Sequence, residues 1–230
     1  MPRALSSLLV AALLLLVAAG CGDDDPGSDG SGGGGAQQAD SGEQACREVE
    51  APAPKADGAQ RRPRADLDPS RTYDVAFRTS CGEFTVRLDV EGAPDTTASF
   101  AALARSGFYD DTTFHRIVPG FVIQGGDPTG TGTGGPGYKT RDRPPASARY
   151  TRGVVAMAKT ATEPPGTAGS QFYVVTGADA GLPPEYAIVG EVVDGMDTVE
   201  RIESLGDPAS GGAGTPLRPV VIEEAALDGG

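Results

Sequence analysis

The chain has no tryptophan and no asparagine, one histidine (His115), three lysines (Lys55, Lys139 and Lys159) and three cysteines (Cys21, Cys46 and Cys81). Without asparagine there is no N-glycosylation sequon. The single histidine sits in a hydrophobic block that holds no cysteine, so a zinc-type cluster lacks its ligands, and neither a metal nor another cofactor is expected. Positive charge is scarce too: 19 Lys and Arg stand against 32 Asp and Glu, a formal net charge of −13. A nucleic-acid backbone is bound by clustered cations that release its counterions, which excludes nucleic acid as a partner and leaves the acidity to serve solubility. No apolar run reaches the ~20 residues of a membrane-spanning helix. The run from Ala4 to Ala19, behind Arg3, has the size of a signal-peptide core.

That run ends in Ala18-Ala19-Gly20-Cys21, which resembles a bacterial lipobox. Residues 1–20 are therefore expected to be a lipoprotein-type signal peptide, with Cys21 acylated as the first mature residue and the protein extracytoplasmic and lipid-anchored to the cell membrane. More than one acyl chain suffices for stable anchoring. Ordinary cleavage, leaving a secreted protein, is the alternative. Residues 21–68 are acidic and then Gly-, Ala- and Pro-rich, with Asp23-Asp24-Asp25, Gly32-Gly33-Gly34-Gly35 and Ala51-Pro52-Ala53-Pro54, and read as a flexible, disordered linker. As a coil it reaches roughly 40 Å. Cys46 and Cys81 are expected to pair in an oxidising exterior. A bridge closing about 35 residues contributes ~3–4 kcal/mol in the chain-entropy view and clips the tail to the domain.

The folded part is placed at residues 69–227. Tyr73, Val75 and Phe77 alternate with polar residues, Ser80-Cys81-Gly82-Glu83 turns the chain, and Phe84, Val86 and Leu88 resume the alternation, which predicts a hairpin. Pro94 opens a helix whose apolar stripe is Phe100, Leu103, Ala104 and Phe108, ending near Gly107. A second helix is predicted from Asp194, as cap, through Met196, Val199 and Ile202 to Gly206. Short strands are predicted near 153–157, 172–176, 188–192 and 219–224. Many short strands with two helices imply a mainly β fold, a closed β-barrel capped by helices, because closure removes sheet edges.

The most informative stretch is Phe114-His115-Arg116-Ile117-Val118-Pro119-Gly120-Phe121-Val122-Ile123-Gln124-Gly125-Gly126-Asp127. It sets an arginine and a glutamine among large apolar side chains, on two strand-like runs around a Pro-Gly turn. Counting across that turn does not assign Arg116, Val118, Phe121 and Gln124 to one face. A second block is Gly169-Ser170-Gln171-Phe172-Tyr173-Val174-Val175, preceded by Gly153-Val154-Val155-Ala156-Met157-Ala158. A third runs from Tyr186-Ala187-Ile188-Val189-Gly190 to Asp197.

In order and spacing, these three blocks resemble the cyclophilin family of peptidyl-prolyl cis/trans isomerases, over Tyr73 to about Leu227. The resemblance implies a closed barrel of eight antiparallel strands with two helices. It implies that Arg116 and Gln124 are catalytic, Arg116 as donor and Gln124 bonding the substrate carbonyl. It places Phe121, Val122, Leu182 and Tyr173 around a proline pocket, with Val122 replacing a methionine and Tyr173 a phenylalanine. Ala158 and Lys159 fall in the segment whose backbone bonds the peptide, Lys159 replacing an asparagine. Gln171 matches the second block, and Tyr186 stands where many members have histidine. Gly181 occupies the place of the family's tryptophan, which puts tight cyclosporin binding in doubt.

Other motifs carry less. His115 neighbours Arg116 on a strand, so it is expected to point away from the arginine's groove as a structural residue. Ser170 lacks the Gly-x-Ser-x-Gly elbow of a hydrolase. Gly130-Thr131-Gly132-Thr133-Gly134-Gly135 fits a dinucleotide fingerprint literally, but Pro136-Gly137 follows instead of a helix, and a flexible wall of the substrate groove is expected. The reading is a monomeric isomerase acting on proline-containing polypeptides outside the cytoplasm. The alternative is a non-catalytic module holding proline peptides in the same groove.

Overall fold

A computed structural model describes residues 45–64 and 66–229. The signal segment, Cys21 and the aspartate and glycine runs before residue 45 lie outside the described residues. Tyr73, Val75, Phe77 and Thr79 are the buried positions of β1 (Tyr73–Thr79), and Phe84, Val86 and Leu88 those of β2 (Gly82–Leu88). Alternate strand residues face opposite sides, so this spacing gives the hairpin one core face and leaves the other to Arg78 and Arg87, ion-paired with Glu223, Glu224 and Asp74. Phe77 and Phe84 stand opposite each other in register and stack with ring centroids 4.9 Å apart.

Helix α1 (Pro94–Arg105) buries Phe100, Leu103 and Ala104, as its spacing predicts. It ends in a Schellman turn: Gly107, at φ +67°, donates to Ala104 O, and the Phe108 N–H donates to Leu103 O, both at 3.0 Å. Helix α2 (Met196–Glu203) is shorter than expected at both ends. Asp194 is not its cap, because that residue still pairs with Thr85 as the last residue of β10 (Ile188–Asp194). Gly195 takes the cap position at φ +76°, where a Cβ would lie 2.3 Å from Glu83 O. The chain leaves the sheet so abruptly that only glycine fits.

The remaining strands are β3 (Thr112–Thr113), β4 (Arg116–Val118), β5 (Val122–Gly125), β6 (Thr140–Arg141), β7 (Val154–Met157), β8 (Thr167–Ala168), β9 (Phe172–Val175) and β11 (Val221–Gly229). Nine of the strands form one antiparallel sheet in the order β3-β11-β1-β2-β10-β7-β9-β5-β4, while β6 and β8 form a separate pair. This ladder differs from the expected closed barrel of eight strands: among the described residues it has nine strands and two ends. Both ends belong to the segment 112–118, interrupted where Phe114 drops fully into the core. The sheet thus curls until its first and last strands are successive pieces of one stretch. Helix α1 packs on β11 and α2 on β2.

Residues 45–64 form no strand or helix but are bound to the domain. Backbone N–H groups of Arg47, Lys55, Gly58 and Gln60 donate to the carbonyls of Ser80, Pro128, Gly135 and Pro136 at 2.8–3.0 Å. The disulfide Cys46–Cys81 joins the same stretch to the β1–β2 turn. Within the expected linker of residues 21–68, residues 45–64 are therefore a strap, and residues 21–44 lie outside the described residues. Composition reports only that Pro, Ala and Gly bury little apolar surface; it does not report backbone pairing with a distant loop.

The core is an aromatic cluster around Phe172, whose ring lies 5.3 Å from Phe77, 5.4 Å from Phe100, 5.6 Å from Tyr109 and 6.1 Å from Phe114, centroid to centroid. Phe172→Ala removes the shared partner of four rings and is expected to cost about 3–5 kcal/mol. Urea unfolding of the two proteins measures it, and a loss below about 1 kcal/mol would refute the ring's central place.

Candidate active site

Strands β4 and β5 are joined by Val118-Pro119-Gly120-Phe121, a type II turn pattern with Gly120 at φ +74° and the Phe121 N–H on Val118 O at 3.0 Å. This turn sets the register Arg116↔Gln124 and Val118↔Val122. Next in the sheet, Gln124 stands opposite Tyr173 of β9, and Tyr173 opposite Ala156 of β7. Directly opposed residues share a face, so Arg116, Gln124, Tyr173 and Ala156 form one row on the side away from the main core. The intervening residues Ile117, Ile123, Val174 and Val155 belong to that core. On the outer side Val122, Tyr150, Ala156, Tyr173 and Val175 build a second, smaller cluster, edged by Phe121, Ala158, Leu182 and Tyr186.

Arg116 is half-buried. Its Nε and one terminal nitrogen donate to Gly212 O at 3.2 and 3.0 Å, and the other terminal nitrogen lies 3.4 Å from Gln124 Oε1. Its guanidinium also stands over the Phe121 ring, 5.7 Å from the centroid. Three of the five guanidinium N–H groups are used in this way, leaving two free to donate. Burial lowers its pKa, with no acidic neighbour among the described residues opposing the shift. An arginine nevertheless stays charged, so the site holds a fixed cation without a counter-ion among the described residues.

A pocket of about 310 Å³ is lined by Arg116, Phe121, Val122, Gln124, Ala158, Lys159, Tyr173, Leu182 and Tyr186. These are all the expected catalytic and substrate-binding residues except Gln171. Gln171 lines an adjoining compartment of about 220 Å³, which shares Gln124, Ala158 and Lys159 with the first. The two glutamines are linked, Gln124 Nε2 donating to Gln171 Oε1 at 3.0 Å. Lys159 divides the compartments with its side chain only 2% exposed, its ammonium 3.1 Å from Glu185 and 5.2 Å from the centre of the Tyr186 ring. The Tyr173 hydroxyl is buried without a hydrogen-bond partner, and burial, then the neighbouring Tyr150 and Tyr186, push its pKa far up.

Several contributors were not visible in the sequence. Gly212, whose carbonyl holds Arg116, lies in a 3-10 segment, Pro208–Ala213. Its signal was Asp207 before Pro208, since the Asp207 carboxylate caps the turn at Ala209 N. Lys139, Thr160 and Glu163, on the second compartment, carried no signal, whereas Gly132, Thr133 and Gly134 belong to the loop expected to wall the groove. The glycine-rich loop is no nucleotide loop: its amides at Thr129, Gly132 and Gly134 already donate to the buried Asp127 carboxylate. Burial raises that carboxyl's pKa, but these donors outweigh it and hold it below the usual range. Nor is it an unconstrained wall, being held by Asp127 within and the strap without. Ser170 is buried with its hydroxyl on Gly126 O at 2.7 Å, out of any catalytic pairing.

His115 lines neither compartment. Both its ring nitrogens are buried without a hydrogen-bond partner among the described residues. Burial lowers its pKa, offset in part by the negative charge of Asp127. The unfolded chain, with an ordinary histidine pKa of about 6.5, then binds the proton more readily than the folded one. Stability is full above about pH 6.5 and declines as pH falls through the lower folded-state value. Thermal melts from pH 7 to 5 should show this decline in the natural chain and a flatter profile in His115→Gln; identical profiles would refute it.

A model of the family described as cyclophilin type peptidyl-prolyl cis-trans isomerase/CLD matches residues 74–227. Peptidyl-prolyl cis-trans isomerase A of Mycobacterium tuberculosis is 37% identical over 175 residues, 69% of this chain and 94% of that protein. Peptidyl-prolyl cis-trans isomerase-like 1 of Aspergillus oryzae is 41% identical over 156 residues, 66% and 93% of the two chains. A cyclophilin type isomerase of Cryptosporidium parvum superposes with a TM-score of 0.61 at 32% identity, covering 68% of this chain and 98% of its own. The same protein solved in the presence of the dipeptide Ala-Pro matches with a TM-score of 0.61 at 33% identity, over 67% of this chain and 98% of its own. With this family match spanning the curled sheet and both compartments, the chain belongs to the cyclophilin-type peptidyl-prolyl cis-trans isomerases.

Proposed function

We propose that isomerisation takes place on the Arg116 face without covalent chemistry, the proline ring entering the 310 Å³ pocket. Rotation about an X-Pro amide meets a barrier of about 20 kcal/mol because the nitrogen lone pair is delocalised into the carbonyl. In the twisted state that lone pair returns to a pyramidal nitrogen. A donor aimed there stabilises the transition state and leaves the planar ground state nearly untouched, which is the condition for catalysis. The two uncommitted N–H groups of Arg116 suit this role. Gln124 bonds the substrate carbonyl. Phe121, Val122, Tyr173, Leu182 and Tyr186 exclude water from the ring, and the backbone at Ala158 and Lys159 aligns the peptide, with Gln171 beside it. The observation that carries this reading is a cation with no counter-ion among the described residues, lining a pocket together with Phe121, Val122, Leu182 and Tyr173. The Ala-Pro dipeptide accompanying the Cryptosporidium relative supports proline-containing polypeptides as substrates.

We further read the curled sheet as a barrel of eight strands in which 112–118 counts once. The enzyme acts as a monomer on exported proteins, held to the membrane by an acylated Cys21 or, if Cys21 is unmodified, secreted. The apolar run before Ala18-Ala19-Gly20-Cys21 and the disulfide Cys46–Cys81, which suits an oxidising compartment, support that location.

A protease-coupled proline-isomerisation assay tests the mechanism. Arg116→Ala should lower kcat/KM by about 10²–10³, and Arg116→Lys should recover little, because a lysine does not reproduce the planar fork. A loss under tenfold would remove Arg116 from the catalytic role, and peptide binding without wild-type turnover would favour a holding module. For the location, a mass spectrum of the mature protein from its host should show a chain beginning at an acylated Cys21; an unmodified Cys21 would refute the anchor.

A further inference from the structure

The glycine-rich loop has two sides. Its inner side, at Gly132, Thr133 and Gly134, lines the compartment beside Gln171. Its outer side meets the strap, where Gly58 N–H donates to Gly135 O and Gln60 N–H to Pro136 O, both at 3.0 Å. One peptide group joins the sides. The Gly134 carbonyl accepts from Gln171 Nε2 at 2.9 Å, and the N–H of that same peptide unit, on Gly135, donates to Asp57 Oδ1 at 2.8 Å. In a trans peptide the C=O and N–H point in opposite directions, so the strap carboxylate and the active-site glutamine grip opposite ends of one plane.

That plane lies between two glycines. Neither neighbour has a Cβ to restrict it, and it rotates at little steric cost unless something outside the loop holds it. The Gly134 carbonyl nevertheless begins a chain of hydrogen bonds to the catalytic face: Gly134 O to Gln171, Gln171 Oε1 to Gln124 Nε2, and Gln124 Oε1 to the Arg116 guanidinium. The strap that carries Asp57 is itself pinned on the N-terminal side of that residue. The Lys55 ammonium donates to the carbonyls of Gly107 and Phe108, in the turn that follows α1, each at 3.2 Å, and Cys46 is bonded to Cys81.

We propose that Asp57 is a positioning residue of the active site, fixing the Gly134–Gly135 peptide so that its carbonyl holds Gln171 and, through Gln124, sets the aim of Arg116. Asp57 lies outside residues 74–227, so this device is an addition of this chain to the family domain. The inference rests on the Arg116 face being the active site, and its test separates the two ideas.

The full chain with its disulfide intact is assayed for kcat and KM on a proline peptide. Asp57→Ala should lower kcat about three- to tenfold, the range of one net hydrogen bond, with KM and the melting temperature nearly unchanged. Asp57→Asn, which keeps the acceptor oxygen, should restore most of that kcat. In a Gln171→Ala background, Asp57→Ala should have no further effect, because the two act through one peptide. An unchanged kcat in Asp57→Ala, an Asn variant as slow as the Ala one, or additive losses with Gln171→Ala would each overturn the proposal. Arg116→Ala runs alongside: if it keeps full activity, the active-site reading has failed, whereas its loss with Asp57→Ala unaffected sinks only the role of Asp57.

Discussion

The two-sidedness of a curled sheet is the constraint on which the molecule depends. In β4, β5, β9 and β7 alternate residues go to opposite faces, and here both faces are buried or half-buried. Ile117, Ile123, Val174 and Val155 serve the aromatic core, while on the other face Arg116, Gln124 and Tyr173 line the pocket and Ala156 packs in the second cluster. A one-residue slip of register would exchange the sets and place a guanidinium in the hydrocarbon interior. The core and the pocket thus select the same register. The turn at Pro119-Gly120 enforces it locally, and Phe114 and Phe172 enforce it from the core.

From that register follows the electrostatic character of the site. Arg116 is anchored by a carbonyl and a glutamine oxygen instead of a carboxylate. A carboxylate partner would neutralise the charge and take up the remaining donors. Neutral acceptors fix the guanidinium while leaving its field directed at the pocket, where partial exclusion of water strengthens it. Lys159 follows the opposite logic. Its ammonium is satisfied by Glu185 and by the carbonyls of Thr160 and Glu163, so it braces the wall between the compartments.

Much of this was legible in the linear pattern. The β1–β2 hairpin, α1 with its stop at Gly107 and the short strands β7 and β9 follow from alternation, helical spacing and glycine placement. The pocket residues were identifiable one by one from the family motif. The helix boundary at Asp194 was not, because a strand that continues to the edge of a helix imposes its own dihedrals on a residue that would otherwise cap it. Residues 45–64 were not legible as a strap for a related reason: their stabilisation comes from hydrogen bonds to residues far away in the chain, from Ser80 to Arg218, none of which changes their composition.

The sequence by itself determined the mainly β character, the outward and inward sets within each strand, and which residue types were available for a cation at an apolar pocket. Tertiary structure alone decided that Arg116 and Gln124 stand in one row, that Gly212 and Gln124 supply the oxygens that hold the arginine, and that the strap reaches the glycine-rich loop. Periodicity is a property of neighbours along the chain, whereas a register or a shared peptide plane is a relation between segments far apart in sequence, settled only when the folded core brings them together.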